Sequence, residues 1–263
     1  KGKVYRLKGY EIPEYSRTSK GLPIVNLLQI EKDESIKTVL KLERDNEFKY
    51  LLFATKNGVV KRTAIEEFDN IRQSGKIAIS LKDDDELIAV KKTTGNNQVF
   101  LCSSNGRMAR FAESEIRVMG RTASGVRGIN LADNDEVVGM QLDEQGEYLL
   151  VASEKGMGKR TYLDEFTVQK RGGKGVKCYK ITEKTGEVVG AKAVNEDDEI
   201  MIINTEGIII RMECKGISVL GRITSGVKLI NLRENEIVAS IAKVKETQED
   251  ESEVQAEEQI EEQ

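Results

Sequence analysis

Apolar residues in this chain occur in short continuous runs separated by polar turns, and no stretch sustains the spacing of a helix. Runs such as YLLFAT (50–55) and EYLLVAS (147–153) are six or seven residues long, which is the length of a strand rather than a helix. The dipeptides Asn57-Gly58 and Asn105-Gly106 follow apolar runs and predict β-hairpins with type I′ turns, which require positive φ. We therefore predict an all-β fold.

A pattern of two glycines and two arginines occurs five times, with a period of about 50 residues. The first glycine lies between two apolar runs, and an arginine follows it by four residues: Gly2 and Arg6, Gly58 and Arg62, Gly106 and Arg110, Gly156 and Arg160, Gly207 and Arg211. The second glycine comes 19 residues after the first, or 17 in the second unit, and a second arginine precedes it: Arg17 and Gly21, Arg72 and Gly75, Arg121 and Gly125, Arg171 and Gly175, Arg222 and Gly226. This regularity indicates a repeated structural unit.

Each unit contains four short predicted strands, as the third unit shows with QVFLCSS, RMARFAE, GVRGINL and EVVGMQL. One four-stranded sheet cannot bury both of its faces, whereas neighbouring sheets stacked in a ring can, and ring closure limits exposed edges. We predict a propeller-like ring of residues 1–245, with units at approximately 1–45, 46–95, 96–145, 146–195 and 196–245. The chain starts at a glycine turn and without Met, so we expect at least one further strand, or a whole unit, upstream of Lys1.

Composition excludes several classes of function. The chain has no His and no Trp, and its three cysteines (Cys102, Cys178 and Cys214) form no CxxC pair. A zinc site and a His-based catalytic site are therefore excluded, and we expect buried free thiols in a reducing compartment. No run of 18 apolar residues and no apolar signal segment is present, so we predict no membrane span and no secretory signal in this sequence. No convergent acid–base set is visible, and we assign neither catalytic residues nor metal ligands.

The charge is distributed unevenly. The chain has a net charge of −4, but residues 246–263 contain nine acidic residues and no basic one. Residues 1–245 therefore contain 36 acidic and 41 basic residues, a net charge of +5. Because the last segment combines few apolar groups with like-charge repulsion, we predict that 246–263 is a disordered acidic tail on a mildly basic body.

The segment around the second glycine carries the candidate chemistry. In each unit it combines an arginine, small or hydroxyl residues and the glycine, and then continues into a predicted strand. A ring would display these segments around its rim, and we call them the rim loops: residues 16–27, 71–81, 120–131, 170–181 and 221–232. Three of them have a base two residues after the glycine, namely Arg127, Lys177 and Lys228.

The rim loops predict a belt of positive charge that binds phosphate. Arg and Lys neutralise phosphates and release counterions, hydroxyl and glycine N–H groups donate to phosphate oxygens, and glycine permits close approach. No aromatic residue alternates with these groups and no helix is available for a major groove, so we predict sequence-independent binding of double-stranded DNA along a curved surface. The candidate DNA-binding residues are Arg17, Lys20, Arg72, Lys76, Arg121, Arg127, Gln169, Lys170, Arg171, Gly172, Gly173, Lys174, Gly175, Lys177, Arg222 and Lys228.

The repeated arginines have a second interpretation. An arginine at the same position of every unit could join neighbouring units through carboxylates or carbonyl groups. For the arginines four residues after the first glycine, this structural role and phosphate contact are equally well supported. For the arginines of the rim loops, phosphate contact is favoured.

The segment Gln169-Lys170-Arg171-Gly172-Gly173-Lys174-Gly175 resembles the gyrase A box, a heptapeptide of the C-terminal domain of the DNA gyrase A subunit. KGKVYRLKGYEIPEYSRTSKG, VMGRTASGVRGINL, GMGKRTYLDEF and GRITSGVKLINL are also similar to that domain, as is the acidic tail. In the family the box usually lies in the first blade, whereas the heptapeptide here lies in the fourth unit. We therefore interpret residues 169–175 as a second, box-like copy and expect the principal box upstream of Lys1.

The resemblance implies a β-pinwheel, a propeller-like ring of about six four-stranded blades with strands exchanged between neighbours, of which five units are visible here. It implies that the domain binds duplex DNA on its outer rim and wraps it with positive handedness, in support of negative supercoiling by an ATP-dependent type II topoisomerase. It also implies no catalysis and no cofactor in this domain, because the cleaving tyrosine, magnesium and ATP belong to other parts of the enzyme.

The resemblance further implies a set of partners. These are double-stranded DNA, the breakage–reunion core of the gyrase A subunit, together with the gyrase B subunit in a complex of two A and two B subunits. The implied location is the bacterial cytoplasm, in association with the nucleoid and without a membrane partner.

Two other functions stay open. The equivalent domain of the topoisomerase IV A subunit has a related pinwheel, often with fewer blades and an eroded box. The heptapeptide and the acidic tail favour gyrase, whereas five visible units favour topoisomerase IV. A propeller used as a platform for protein partners is the alternative from a different class. We also hypothesise that the acidic tail competes with DNA for the basic belt.

Overall fold

Strands and short 3-10 turns make up the regular structure of the computed structural model, which describes residues 1–16, 18–42 and 47–244. No α-helix occurs in these ranges, so the predicted all-β class is confirmed. Arg17 and the acidic tail at 246–263 lie outside the described residues.

The strands are β1 (Lys3–Val4), β2 (Tyr50–Thr55), β3 (Val59–Ala64), β4 (Lys76–Ile77), β5 (Leu87–Thr93), β6 (Gln98–Ser103), β7 (Arg107–Ala112), β8 (Val126–Arg127), β9 (Val137–Leu142), β10 (Tyr148–Ser153), β11 (Met157–Tyr162), β12 (Val176–Lys177), β13 (Val188–Val194), β14 (Glu199–Asn204), β15 (Ile209–Glu213), β16 (Val227–Lys228) and β17 (Val238–Lys243). The 3-10 turns are Gly9–Glu11, Ile24–Asn26, Ile65–Phe68, Glu113–Glu115, Asp143–Gln145, Leu163–Glu165 and Cys214–Gly216.

The short third strand of each unit pairs with the unit before it. In units two to five, the first two strands form an antiparallel hairpin and the fourth strand pairs with the first. The third strand instead extends the preceding hairpin, so β8 pairs with β3, β12 with β7 and β16 with β11. The resulting sheets have the orders β5-β2-β3-β8, β9-β6-β7-β12, β13-β10-β11-β16 and β17-β14-β15, and β1 pairs with β4. The exchange of strands that the resemblance implies is therefore confirmed.

The closing strands of successive units lie side by side. Strand β9 packs against β5 and β13, and β13 packs against β17. These strands form one edge of their sheets, and the exchanged strands β8, β12 and β16 form the opposite edge. The sheets are thus arranged as blades, with the exchanged strands on the outer edge.

In the first four units, the backbone of the next unit crosses at the first glycine. The carbonyl of Gly58 accepts a hydrogen bond from the N–H of Gly128 at 2.7 Å, and the carbonyl of Gly106 accepts one from Cys178 at 2.8 Å. A Cβ on Gly106 would lie 2.8 Å from the carbonyl oxygen of Tyr179, inside the contact distance of real side chains. Close approach of two backbones therefore explains why this glycine recurs.

The core is divided among the interfaces between blades. On β6, Phe100 packs into the cluster shared with the fourth unit, and the next residue, Leu101, packs into the cluster shared with the second. On β10, Leu149 and Leu150 divide in the same way between the third and fifth units. Because successive side chains of a strand point to opposite faces, a strand buried on both faces is apolar throughout. This accounts for the continuous apolar runs of the sequence.

The hairpins are present where the sequence predicts them, but their turns are not type I′. Gly58 and Gly106 have φ values of 80° and 69°, whereas Asn57 and Asn105 are not left-handed. The N–H of Gly58 donates to the carbonyl of Thr55 at 3.0 Å, which closes a three-residue loop between β2 and β3. A loop of this length needs only its last residue in the left-handed region, and a type I′ turn needs two.

The first unit differs from the others. Its first strand is expected upstream of Lys1 and the other three within the sequence, yet among its described residues only β1 is a strand. Residues Ile24–Asn26 of its rim loop form a 3-10 turn instead of an exchanged strand. Pro23 occupies the position of Arg127 and Lys177 in the later loops, and proline has no N–H with which to pair in a sheet.

We predict that Gly175→Ala destabilises the protein by at least about 1 kcal/mol, because Gly175 is left-handed and closely packed. Its φ is 68°, and an added Cβ would lie 2.6 Å from the carbonyl oxygen of Met108. Thermal unfolding followed by circular dichroism measures the change. Gly120→Ala is the matched control, since Gly120 lacks positive φ and no atom lies within 4 Å of its added Cβ. Equal unfolding midpoints for the two variants would contradict the prediction.

Candidate nucleic-acid interface

The rim loops lead into the outer-edge strands and present basic side chains there. Arg127 ends β8, Lys177 ends β12 and Lys228 ends β16, and all three residues are exposed. Among the described residues, none of these side chains makes a hydrogen bond or a salt bridge. The second unit has Ile77 at this position, preceded by the half-buried Lys76. Three consecutive sheets therefore carry an unpaired cation at the same outer-edge position.

The rim-loop arginines bind the unit before them. The guanidinium of Arg121 donates to the carbonyl of Ile77 at 3.3 Å, and that of Arg222 donates to the carbonyl of Lys177 at 3.4 Å. The guanidinium of Arg171 donates in the same way to the carbonyl of Arg127. Each arginine thus joins its loop to the outer-edge strand of the neighbouring unit, which is the structural alternative that the sequence left open.

A glutamate of the preceding unit lies beside each of these arginines. Glu67 Oε2 is 3.7 Å from Arg121 Nε. Glu115 Oε2 accepts the backbone N–H of Arg171 at 2.8 Å, and Glu165 Oε2 accepts the backbone N–H of Arg222 at 3.3 Å. These carboxylates offset part of the arginine charge. The net positive charge of the outer edge therefore depends on the unpaired cations.

The heptapeptide at 169–175 combines a fixed backbone with free lysines. Its Gln169 N–H donates to the carbonyl of Arg110 at 2.8 Å, and its Gly172 N–H donates to the carbonyl of Gly128 at 2.8 Å. Gly172 has a φ of 81°, which favours glycine there. Lys170 and Lys174 are exposed, and neither side chain has a polar partner among the described residues. The Gly172 N–H is already used within the protein, so the lysines are the groups of this loop that face solvent.

The remaining predicted residues are placed as follows. Lys20 and Arg72 are exposed, Gly173 is exposed, Gly175 is half-buried, and Arg17 is outside the described residues. The structure brings Arg171 next to Arg127 and Arg222 next to Lys177. Arg72 precedes β4, which pairs with β1 in the register of the later exchanged strands but has Ile77 at the outer-edge position. The first rim loop, which contains Lys20, has no strand among its described residues.

The arginines four residues after the first glycine are internal in three units. Each lies over an aromatic ring or against a carboxylate and donates to the following unit: Arg62 to the carboxylate of Glu113, Arg110 to the carbonyl of Phe166 and Arg160 to the carbonyl of Ile217, at 3.3, 2.9 and 2.9 Å. Arg110 and Arg160 thereby satisfy carbonyls of the 3-10 turns at Leu163–Glu165 and Cys214–Gly216. For these three arginines, the geometry supports the structural interpretation.

Two buried lysines were not predicted from the sequence. Lys61 and Lys159 are fully buried on β3 and β11, three residues after the first glycine of their units. Nζ of Lys159 donates to the carbonyls of Gly221 and Arg222 at 2.6 Å each, and Lys61 donates to the carbonyls of Ala78 (2.5 Å) and Arg121. Burial lowers the pKa of both lysines to about 8. The repeated Lys-Arg dipeptides 61–62 and 159–160 are the signal that could have identified them.

The cysteines are free and buried, as predicted. Cys102 Sγ lies 3.7 Å from Cys178 Sγ, and this neighbouring thiol together with burial raises the pKa of Cys102. The described residues contain no group of three or more His, Cys, Asp or Glu arranged to hold a metal ion. No helix in the described part of the chain has the length and apolar character needed to cross a membrane.

These features define a class of protein, a strand-exchanged β-propeller with cations repeated along its outer edge. The family model described as DNA gyrase C-terminal domain, beta-propeller, matches residues 1–43, 49–94, 97–142, 147–195 and 198–245. The chain belongs to this family, and the resemblance stated from the heptapeptide and its companion motifs is confirmed.

Two relatives from the same family are similar to this chain over most of its length. The A subunit of DNA gyrase from Halalkalibacterium halodurans is 60% identical over 244 residues, which are 93% of this chain and 29% of that protein. The A subunit of DNA gyrase from Staphylococcus aureus is 46% identical over 255 residues, which are 96% of this chain and 29% of that protein. The chain therefore spans less than a third of the length of these relatives.

Solved structures confirm the fold. The C-terminal domain of DNA topoisomerase IV matches with a TM-score of 0.86 at 30% identity, over 93% of this chain and 77% of that structure. The C-terminal domain of DNA gyrase A matches with a TM-score of 0.78 at 30% identity, over 93% of this chain and 80% of that structure.

The buried lysines predict a specific pH dependence of stability. Burial lowers the pKa of Lys159 from 10.5 to about 8, while Glu165, Arg222 and Cys178 face its ammonium. Between these two values the unfolded chain binds more protons than the folded one, so this lysine makes stability rise with pH. Relative to Lys159→Met, we expect the wild type to gain on the order of 1 to 3 kcal/mol between pH 7 and pH 10.

Denaturant unfolding at several pH values measures this difference. Lys155→Met is the control, because Lys155 lies in the same hairpin with an exposed side chain. If the difference in unfolding free energy between the wild type and Lys159→Met did not change with pH, as expected for Lys155→Met, the lowered pKa of Lys159 would be wrong.

Proposed function

We propose that this chain binds double-stranded DNA on the outer edge of its blades and wraps it, as a non-catalytic part of a DNA gyrase. The observation that carries the proposal is the set of unpaired cations at one position of three consecutive sheets: Arg127, Lys177 and Lys228. Cations fixed at regular intervals on a convex edge match a charged polymer that bends around that edge. The family to which the chain belongs supports the same conclusion.

The heptapeptide strengthens this surface where the third and fourth units meet. Lys170 and Lys174 add two free ammonium groups on a loop in which Gly172 lies close to Arg127 and whose backbone is held by the preceding unit. Contacts to phosphate are indifferent to sequence. Bending a duplex along the edge costs several kcal/mol, roughly 1 to 6 by elastic estimates, so many such contacts are needed to offset it.

In this proposal the remaining activity lies elsewhere in the enzyme. The breakage–reunion core of the gyrase A subunit cleaves DNA, and the gyrase B subunit supplies ATP hydrolysis, each with magnesium. The wrap presents a DNA segment to the core and gives negative supercoiling its direction. The domain works on the chromosomal DNA of a bacterial cell and needs no cofactor of its own.

Neutralising the three outer-edge cations tests the DNA site. In the triple variant Arg127→Gln, Lys177→Gln and Lys228→Gln, we expect the slope of log affinity against log salt concentration to decrease in magnitude by about 2.7, at roughly 0.9 per lost phosphate contact. Fluorescence anisotropy with labelled duplex measures affinity, and thermal unfolding checks that the fold is intact.

The matched control is Lys32→Gln, Lys155→Gln and Lys184→Gln, which removes three exposed charges outside the exchanged strands. We expect a slope close to that of the wild type. Equal losses in both triples would mean that the total charge, and not this edge, determines binding. Absence of salt-dependent duplex binding by the wild-type chain at low ionic strength would refute the function itself.

A topoisomerase IV domain is the second candidate, because the larger TM-score belongs to a domain of that enzyme. The two candidates differ in the reaction of the whole enzyme. Within the complete complex of A and B subunits, a gyrase domain should give ATP-dependent negative supercoiling of a relaxed plasmid. The outer-edge triple variant should lose most of this activity and keep plasmid relaxation. Decatenation without supercoiling by the wild-type complex would favour topoisomerase IV.

A further inference from the structure

Two buried ammonium groups lie beneath rim loops of the following unit. Lys159 of the fourth unit donates to the carbonyls of Gly221 and Arg222 in the fifth, and Lys61 of the second unit donates to the carbonyl of Arg121 in the third. A buried ammonium is costly unless its donors are satisfied. Carbonyls of the next unit accept both hydrogen bonds of Lys159 and one of the two of Lys61, whose other acceptor is Ala78 of its own unit. The burial of each lysine therefore depends on carbonyls of the loop, and the position of the loop depends on the hydrogen bonds from the lysine.

The same two loops are fixed at a second point by their own arginines. The Arg222 guanidinium donates to the carbonyl of Lys177, while the Arg222 carbonyl accepts from Lys159. Arg121 is held in the same way, because its guanidinium donates to the carbonyl of Ile77 and its own carbonyl accepts from Lys61. Each loop has further contacts with the preceding unit, such as Ser80 Oγ to the carbonyl of Thr122 and the Lys180 N–H to the carbonyl of Thr224. Loss of the lysine would remove the attachment beside the arginine and take a donor away from carbonyls in a partly buried site.

The third unit provides a natural comparison. Ala109 stands where Lys61 and Lys159 stand, and the loop that it faces is the heptapeptide. There, Arg107 donates to the carbonyl of Gly175 at 3.1 Å, and the Gly172 N–H donates to the carbonyl of Gly128 at 2.8 Å. The residues equivalent to Gly172 are Thr122 and Ile223, which do not have its positive φ. The glycine-rich loop is thus fixed without a lysine, and the other two are fixed with one.

We propose that Lys61 and Lys159 are positioning residues that hold rim loops 120–131 and 221–232 in the geometry that binds DNA. Neither lysine touches DNA, because both are fully buried. They set the positions of the loop arginines and of the outer-edge cations Arg127 and Lys228 that follow them. The proposal rests on the proposed DNA-wrapping function.

Hydrogen exchange and DNA affinity of the whole chain test this role together. Lys159→Met removes the donors, and Lys159→Gln keeps an N–H donor without the charge. In Lys159→Met we expect loss of amide protection at 219–226, unchanged protection at 168–176, and a salt slope smaller in magnitude by about 1 to 2, as for one or two misplaced phosphate contacts. Compared with Lys159→Met, Lys159→Gln should restore the amide protection and the salt slope at least in part. If only the charge of Lys159 mattered, the two variants would behave alike.

Lys155→Met is the matched control, since Lys155 lies in the same hairpin and donates to the carbonyl of Glu183 within its own unit. It should behave as the wild type does. Lys61→Met provides a second variant, in which the loss of protection should move to 118–126. The second variant decides the question if Lys159→Met does not fold.

The outcomes separate this inference from the proposed function. Wild-type affinity, slope and loop protection in a folded Lys159→Met would overturn the inference, and so would an equal loss of protection in all rim loops. If the wild-type chain does not bind duplex, the proposed function fails. The exchange data would then still show whether the lysine holds the loop.

Discussion

The fold depends on a backbone hydrogen bond that joins each unit to the next, between the carbonyl of the first glycine and the N–H that follows the exchanged strand. Gly58 with Gly128 and Gly106 with Cys178 are examples, at 2.7 and 2.8 Å. A strand of two residues has too few hydrogen bonds to be stable in isolation, so its position is set by this crossing. Because each unit completes the sheet of its neighbour, stability is shared between adjacent units, as in other repeat proteins.

This crossing also divides the basic residues into two groups. Lys61, Arg62, Lys159 and Arg160 follow the first glycine on the inner strands of the hairpins, where carbonyl groups and carboxylates of the next unit accept their N–H groups. The cations at the ends of the exchanged strands are on the outer edge, with no such acceptor among the described residues. The internal group gives rigidity, and only the external group has side chains that are free to contact phosphate. The net charge of the chain includes both groups, so it does not indicate how many cations are exposed at the outer edge.

Strand positions and the repeat could be predicted from the sequence, because strands buried on both faces are apolar throughout and because close backbone approach requires glycine. The turn type of the hairpins could not be predicted, because an Asn-Gly pair such as Asn57-Gly58 occurs both in two-residue and in three-residue hairpin loops. The structural role of Arg121, Arg171 and Arg222 could not be decided from the sequence either. Their acceptors are backbone carbonyls, which leave no side-chain signature in the sequence, whereas a carboxylate partner would. Repetition alone cannot distinguish an arginine that binds phosphate from one that binds the neighbouring unit.

The heptapeptide is a different solution to a problem that every rim loop shares. Each loop must be fixed to the preceding hairpin and still present cations to solvent. In the third and fifth units a buried lysine does the fixing, and the loop itself contributes one arginine that is largely occupied by carbonyls. In the fourth unit the left-handed Gly172 lets the backbone make its own hydrogen bond to Gly128, and no lysine of the preceding unit is needed. Lys170 and Lys174 of the heptapeptide can then both face outward. Glycine content and exposed charge are therefore linked by the same backbone contact, which is a physical reason for a basic, glycine-rich heptapeptide at the proposed DNA-binding surface.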